Sequence, residues 1–259
     1  MDHPRRFIFH ANATGVTVRI RRPEDRTYDT QGVSCLGVSG GRSSSALAGG
    51  RLDHYVSFGL VATFAQGDFH DLEAPKKGDF SGSTTTTVRS EVRELRILER
   101  LDVERLRIGL TGASAEPGRQ ARITTRGNRI DGVRIDGRRL SVELDEGFFA
   151  ECDTKDALDH VLRNDPRRAL GHCLQESGGV TYGSLVKEIR WEDPPVPGVA
   201  IKGNSVHIPD FGTVYFAELL VTDVSRRLTM LRAELGSPVG GQVSVCGGED
   251  NGIHWPALT

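Results

Sequence analysis

Between Thr84 and Leu144 apolar residues recur on alternate positions, and the pattern occurs twice. Val92, Leu95 and Ile97, then Leu101 and Val103, return as Ile130, Val133 and Ile135, then Leu140 and Val142, offset by about 38 residues with one insertion. Arginine or aspartate fills the intervening positions, so each copy has one apolar and one solvated face, as a half-buried strand requires. Each copy also changes parity once. In a strand that means a bulge or sharp bend, because a one-residue slip otherwise sends every following side chain to the wrong face. Asp131-Gly132 and Asp136-Gly137 are turn chemistry. Two copies fit two strand pairs of a β-sandwich. The alternative, a β-solenoid, would show at least three.

The rest of the chain is read in the same terms. Phe7 to Phe9 and Val16 to Ile20 read as two short strands separated by a turn at Asn12-Ala13-Thr14-Gly15. Residues 37–50 (GVSGGRSSSALAGG) hold few apolar side chains and read as a Gly/Ser loop. Tyr55 to Phe64 reads as a strand, and residues 65–83 as a polar connection. Helix signals are confined to 153–175. Asp153 and Asp156 offer an N-cap and an acidic first turn, with Ala157, Leu158, Val161 and Leu162 on one face. Pro166 opens a second short helix carrying Ala169, Leu170, Cys173 and Leu174, ending at Gly178-Gly179. Val180 to Trp191 reads as one strand, Val199 to Val221 as two or three with a turn at Pro209 to Gly212, and Val243 to Val245 as the last. Leu228, Leu231 and Leu235 fit a helix as well as Leu228 and Met230 fit a strand. The expectation is one β-rich domain over residues 1–259, mainly β and sandwich-like, with a two-helix insertion at 153–175.

Composition narrows the chemistry. There are 31 glycines among 259 residues, above the usual share of about 7%, so many turns are expected. Net charge is −2 and the pI about 6.5, which argues against a nucleic-acid-binding face. Only five of the 33 basic residues are lysine, and the arginines alternate with apolar residues as on a solvated strand face. No stretch approaches 18 apolar residues, and Met1 to Gly15 has no secretory pattern, so a cytoplasmic location is expected without a membrane span. Cys35, Cys152, Cys173 and Cys246 are too widely spaced for a CxxC metal or redox motif and read as buried reduced thiols, with exported disulfides as the alternative.

Gly37-Val38-Ser39-Gly40-Gly41 matches G-x-S-x-G, and it looks like the GDSGG of trypsin-like proteases with Val38 in place of aspartate. The run from Ser39 to Ser44 also resembles a pyrophosphatase loop. Ser39 has no identifiable base. Asp53-His54 and His70-Asp71 bracket one strand and could supply metal ligands. His172-Cys173 with Cys152, His207, His254, and the carboxylates Asp145, Glu146 and Glu151 complete the inventory, each as readily packing or solvated turn. No catalytic, cofactor or metal residue is expected.

The order of segments resembles the bacterial surface proteins called choice-of-anchor P. The resemblance rests on Ala11 to Val18, Thr84 to Val88 with the Val92/Leu95/Ile97 pattern, Ile130 to Gly137, and Val206 to Tyr215. It covers most of the chain with short motifs, and it implies an all-β domain with no catalytic residues to carry over. No signal peptide or sorting tail is read in the sequence, so surface display is not expected, a departure from that family. The leading functional expectation is a non-catalytic structural or interaction protein associating with itself as a homo-oligomer. The alternatives are a ligand module, perhaps for carbohydrate, using loops 37–50 and 65–83, and a serine hydrolase using Ser39.

Overall fold

A computed structural model describes residues 6–70, 83–114 and 122–255. Two antiparallel sheets pack face to face, and one of the connections between them is helical. The chain begins in sheet 1 with β1 (Arg6–Arg22), β2 (Arg26–Thr27) and β3 (Gln31–Cys35). It crosses to sheet 2 for β4 (Gly41–Leu52), β5 (Val56–His70), β6 (Ser83–Ile97), β7 (Leu101–Ser114), β8 (Arg122–Thr125), β9 (Arg129–Asp131), β10 (Val133–Ile135) and β11 (Arg138–Leu144). Helices α1 (Glu146–Glu151), α2 (Lys155–Asn164) and α3 (Pro166–Gly171) follow. β12 (Gln175–Ser177) and β13 (Val180–Ser184) return to sheet 1, and β14 (Val186–Trp191) goes back to sheet 2. Sheet 1 is completed by β15 (Ala200–Lys202), β16 (Ser205–Ile208), β17 (Gly212–Val221), β18 (Ser225–Leu235) and β19 (Gly240–Trp255). Its order is β12-β13-β17-β18-β19-β1-β2, with β3 also beside β1 and β16 beside β17; sheet 2 runs β14-β11-β10-β7-β6-β5-β4, with β8 and β9 beside β7.

The sandwich read from the repeat is the fold found. The first copy is the β6–β7 hairpin and the second is β9 with the β10–β11 hairpin, paired to the opposite side of β7. Their apolar positions all point inward: Val92, Ile97, Leu101, Leu106 and Ile135 are fully buried. Removing each such side chain from water stabilises by about 1.5–3 kcal/mol. Inner faces meet where Val61 of β5 sits against Gly15 and Gly32, and where Ile108 and Val88 cover Gly248. Polar atoms inside the sandwich are paired across it: Ser34 with Thr63 at 2.8 Å, and the Ser90 hydroxyl donating to the Thr14 carbonyl at 2.9 Å.

Several boundaries differ from the sequence reading, each for a physical reason. Residues 6–22 form one strand without a turn at 12–15; Gly15 is buried in mid-strand, where a Cβ would lie 2.4 Å from the Gln31 carbonyl oxygen. Residues 41–52 are strand β4, since an edge strand needs only main-chain pairing to its neighbour, here from Gly41↔Gly67 to Leu52↔Val56. Of the expected connection 65–83, residues up to His70 belong to β5 and Ser83 to β6, and 71–82 lie outside the described residues. The two expected helices are α2 and α3, preceded by the short α1, and the cap of α2 is Thr154 rather than Asp153. α3 ends at Gly171, and Gly178-Gly179 turns the β12–β13 hairpin. Val180 to Trp191 is split between the sheets at Leu185, whose N–H bonds to the Ala217 carbonyl. The last strand runs on from Gly240 to Trp255. Among the described residues no helix is long and apolar enough to cross a membrane.

Candidate functional site

The parity change seen in the sequence is a property of both sheets, and it falls on one line across each. In sheet 2, Gly49, Gly59, Glu94, Glu104 and Gly132 stand opposite one another on neighbouring strands, and the register on either side is unchanged. Each of β5, β6 and β7 places two successive residues outward here: Gly59-Leu60, Arg93-Glu94 and Glu104-Arg105. Alternate members of the line, Gly49, Glu94 and Gly132, have positive φ. In sheet 1 the line is Gly32, Gly15, Cys246, Met230 and Ala217, and again alternate members, Gly32, Cys246 and Ala217, have positive φ. Here the doubled residues point inward, as in Val245-Cys246, Met230-Leu231 and Phe216-Ala217, all buried. Because every strand of the line shifts at the same level, no strand slips against its neighbour there.

A hollow lies on the outer face at each line. That of sheet 2 measures about 430 Å³ and is lined by Glu94, Glu104, Asp102, Arg96 and Arg134 around Gly59 and Gly132. The glycines make room for the carboxylates, since a Cβ on Gly59 would lie 2.4 Å from Glu94 Oε2, and one on Gly132 would lie 2.7 Å from Glu104 Oε2. Arg96 approaches Asp102 at 3.5 Å across the strands. The hollow over sheet 1 measures about 280 Å³, with hydroxyls and amides in place of carboxylates. Thr14 and Thr229 flank Gly247, and Ser244, Gln242, Arg19 and Arg227 stand around them.

A third polar cluster is internal. Cross-strand partners Arg226 and Asp250 are both buried. The Arg226 guanidinium donates to the Cys152 carbonyl at 2.8 Å and keeps Nη1 without a partner; burial lowers its pKa to about 10. Burial raises the Asp250 carboxyl to about 7, partly offset by a hydrogen bond with Thr86. Asp250 seats over Gly112, where a Cβ would collide with its Oδ2.

The residues singled out in the sequence do not converge. Ser39 is exposed in the tight turn from Gly37 to Gly40, and no described hydrogen bond involves its hydroxyl. The Asp53-His54 pair and His70 lie at opposite ends of β5, a strand spanning about 50 Å, which removes a shared metal; Asp71 lies outside the described residues. Asp53 binds Arg26 and Tyr28, raising the Tyr28 pKa to about 12 by desolvation and that hydrogen bond. Asp145 caps α1 through the Phe148 N–H, and Glu146 accepts from the Asn128 N–H at 2.6 Å. Glu151 pairs with Arg168. His207 Nδ1 meets Thr213 Oγ1 at 3.2 Å, and the His254 side chain lies outside the described set. His172, at the end of α3, comes within 3.5 Å of Asp145 and stacks on Phe148. It resembles half of a catalytic couple, but its buried Nδ1 meets no hydroxyl and burial lowers its pKa, so it is packed as a neutral ring. Among the described residues no three or more His, Cys, Asp or Glu gather as a metal site. All four cysteines are free; Cys152 and Cys246 are buried, while Cys35 is exposed and Cys173 half-buried, so only two match the expected buried thiols.

The sequence reading missed both outer hollows and the Arg226–Asp250 cluster. The signal for the first was present as parity changes in β6 and β7. Nothing local marks the second, because Arg226 and Asp250 sit in polar stretches that read as surface.

Fold and geometry thus define an antiparallel β-sandwich with polar hollows on its two outer faces. The chain belongs to the family described as Domain of unknown function (DUF8256), whose model matches residues 7–170 and 164–222. No curated protein and no solved structure gives a match.

Proposed function

We propose that this protein is a non-catalytic structural and interaction module that associates with copies of itself through the free edge of β4. The observation that carries this reading is the edge itself. Among the described residues β4 ends the path of sheet 2 and pairs with β5 on one side only, and it has no charged side chain from Ser43 to Gly50. Exposed edges invite pairing with another chain, and proteins guard them with charges, shortness or bulges. The opposite edge, β14, is guarded in this way by Lys187, Glu188 and Arg190 within six residues. β4 is twelve residues long and lacks such protection over its middle.

The partner that fits is a second β4, antiparallel about a two-fold axis, the self-complementary arrangement of a symmetric dimer. A register centred on Ala46 sets Arg42 opposite Gly50 and Ser44 opposite Ala48, so no arginine faces an arginine. The resemblance to choice-of-anchor P proteins of bacteria implies an all-β domain with no catalytic residues to carry over, which supports a non-catalytic reading. The four free thiols fit a reducing compartment such as the cytoplasm.

Light scattering behind size exclusion across a concentration series tests the reading. The expected result is a mass above 28.2 kDa that reverts to monomer in Ser45→Lys/Leu47→Lys. A monomer at every concentration, or an oligomer indifferent to the two lysines, would overturn it.

A further inference from the structure

We propose that the outer face of sheet 1 is a binding trough for an acidic polysaccharide, separate from the β4 edge. The hollow over Gly247 is kept open by that glycine, since a Cβ there would stand 2.6 Å from Thr14 Oγ1. Thr14, Thr17, Thr229, Ser244, Asn12 and Gln242 turn hydroxyls and amides into it. These groups both donate and accept hydrogen bonds, which is what the hydroxyls of a sugar need. Arg19 and Arg227 are the charged members of the lining, and both are exposed. Glu249, the cross-strand partner of Arg227, is outside the lining.

At Gln242 this hollow meets a larger one of about 680 Å³, formed by Arg21 and Arg22 against the glycine-rich turn at Gly236 to Gly241. Its one carboxylate, Glu234, is engaged by Arg232. Arg21, Arg22 and Arg227 form no ion pair in the described set, and Arg19 has only a loose contact with Asp25 at 3.7 Å. From Gly247 to Gly240 the trough follows β19 for about 23 Å, room for several saccharide units. Four guanidiniums spaced along hydroxyl-bearing walls suit a chain that carries a carboxylate on each sugar.

Two comparisons narrow the ligand. The hollow of sheet 2 holds Glu94, Asp102 and Glu104, which repel such a chain. The sheet 1 trough offers no aromatic side chain in either hollow, so nucleic-acid bases find no stacking platform.

Affinity electrophoresis of the full chain in gels containing polygalacturonate, its methyl ester, or neutral dextran tests the proposal at low ionic strength. Polygalacturonate should retard the protein, and the other two polymers should not. Arg19→Gln/Arg227→Gln should weaken retention by about tenfold, equivalent to about 1.4 kcal/mol. Thr14→Val/Thr229→Val should weaken it by about fivefold, from lost hydroxyl bonds. Thermal melts confirm that each variant folds, and Arg21→Gln/Arg22→Gln, at exposed positions, stands in if the first pair does not. Failure of polygalacturonate to retard the protein would overturn the proposal. So would retention unchanged in the folded arginine variants, or equal retention by single-stranded DNA of matched charge.

Discussion

The two sheets solve the same problem on opposite faces. Each shifts parity along one line of five residues, and each uses left-handed backbone at alternate strands of that line. Sheet 1 turns its extra residues into the core as Gly15, Cys246, Met230 and Ala217, all shielded from solvent. Sheet 2 turns its extra residues out as Gly59, Glu94 and Glu104. A line facing the core must be small or apolar and admits almost no substitution. A line facing water carries charge at little cost and is free to take on binding chemistry.

The largest test of this contrast is electrostatic. On the sheet 1 side the inward-facing carboxyl of Asp250, four residues along β19 from Cys246 of the line, is buried and its pKa is raised to about 7 from 3.8. The native state therefore holds a proton that the unfolded chain releases. The associated stability is complete below about pH 4 and is lost as pH rises through about 7, by as much as about 4 kcal/mol. Asp250→Asn should flatten that decline in thermal melts taken from pH 4 to 8, whereas Glu94→Gln on the exposed line should leave it in place. An unchanged decline in Asp250→Asn would break the contrast.

Next in size is the pair of glycines. In Gly15→Ala the new Cβ meets a main-chain oxygen and the Val61 side chain, neither able to withdraw. A loss of about 2–3 kcal/mol is expected by urea denaturation. Glu94 stands at φ 54°, a conformation that costs an L residue about 1 kcal/mol. Glu94→Gly should recover up to that amount, whereas Cys246→Gly, at φ 56°, should not, because it also empties a fully buried site where Sγ bonds the Ser90 carbonyl. The smallest effect is expected for Gly59→Ala, whose Cβ meets no main-chain atom among its nearest neighbours, only the Glu94 carboxylate, which can swing away, and the Glu94 Cβ at 3.1 Å. A change within about 0.5 kcal/mol is anticipated, and equal losses for Gly15→Ala and Gly59→Ala would show that the lines are not distinguished by what they face.

The same contrast explains which parts of the fold could be read in advance. In β6 and β7 of sheet 2 the doubled residues are polar, so Arg93-Glu94 and Glu104-Arg105 interrupt a clean alternation and announce the bend. In sheet 1 the doubled residues are apolar or glycine, and the alternation is blurred instead. Met230-Leu231 gives Leu228, Leu231 and Leu235 a spacing that imitates a helix, although all three belong to strand β18. Gly15 imitates a turn inside a seventeen-residue strand. β4 was illegible for a different reason: none of its residues is fully buried, and its structure comes from main-chain bonds to β5.

The amino-acid sequence by itself determined the class of fold, since period-2 patterning, its repeat and abundant turn residues leave an antiparallel sandwich as the economical solution. It also determined the short helical segment, through the apolar face of α2 and Pro166 at the start of α3, although the cap of α2 is Thr154 where the sequence offered Asp153. The tertiary structure alone decided that the parity shifts fall in register across five strands. It also decided that Arg226 and Asp250 lie inside, and that hydroxyls from β1, β18 and β19 share one hollow. Those are relations between strands far apart in the chain, set by pairing register and inter-sheet packing, and no local pattern of residues encodes them.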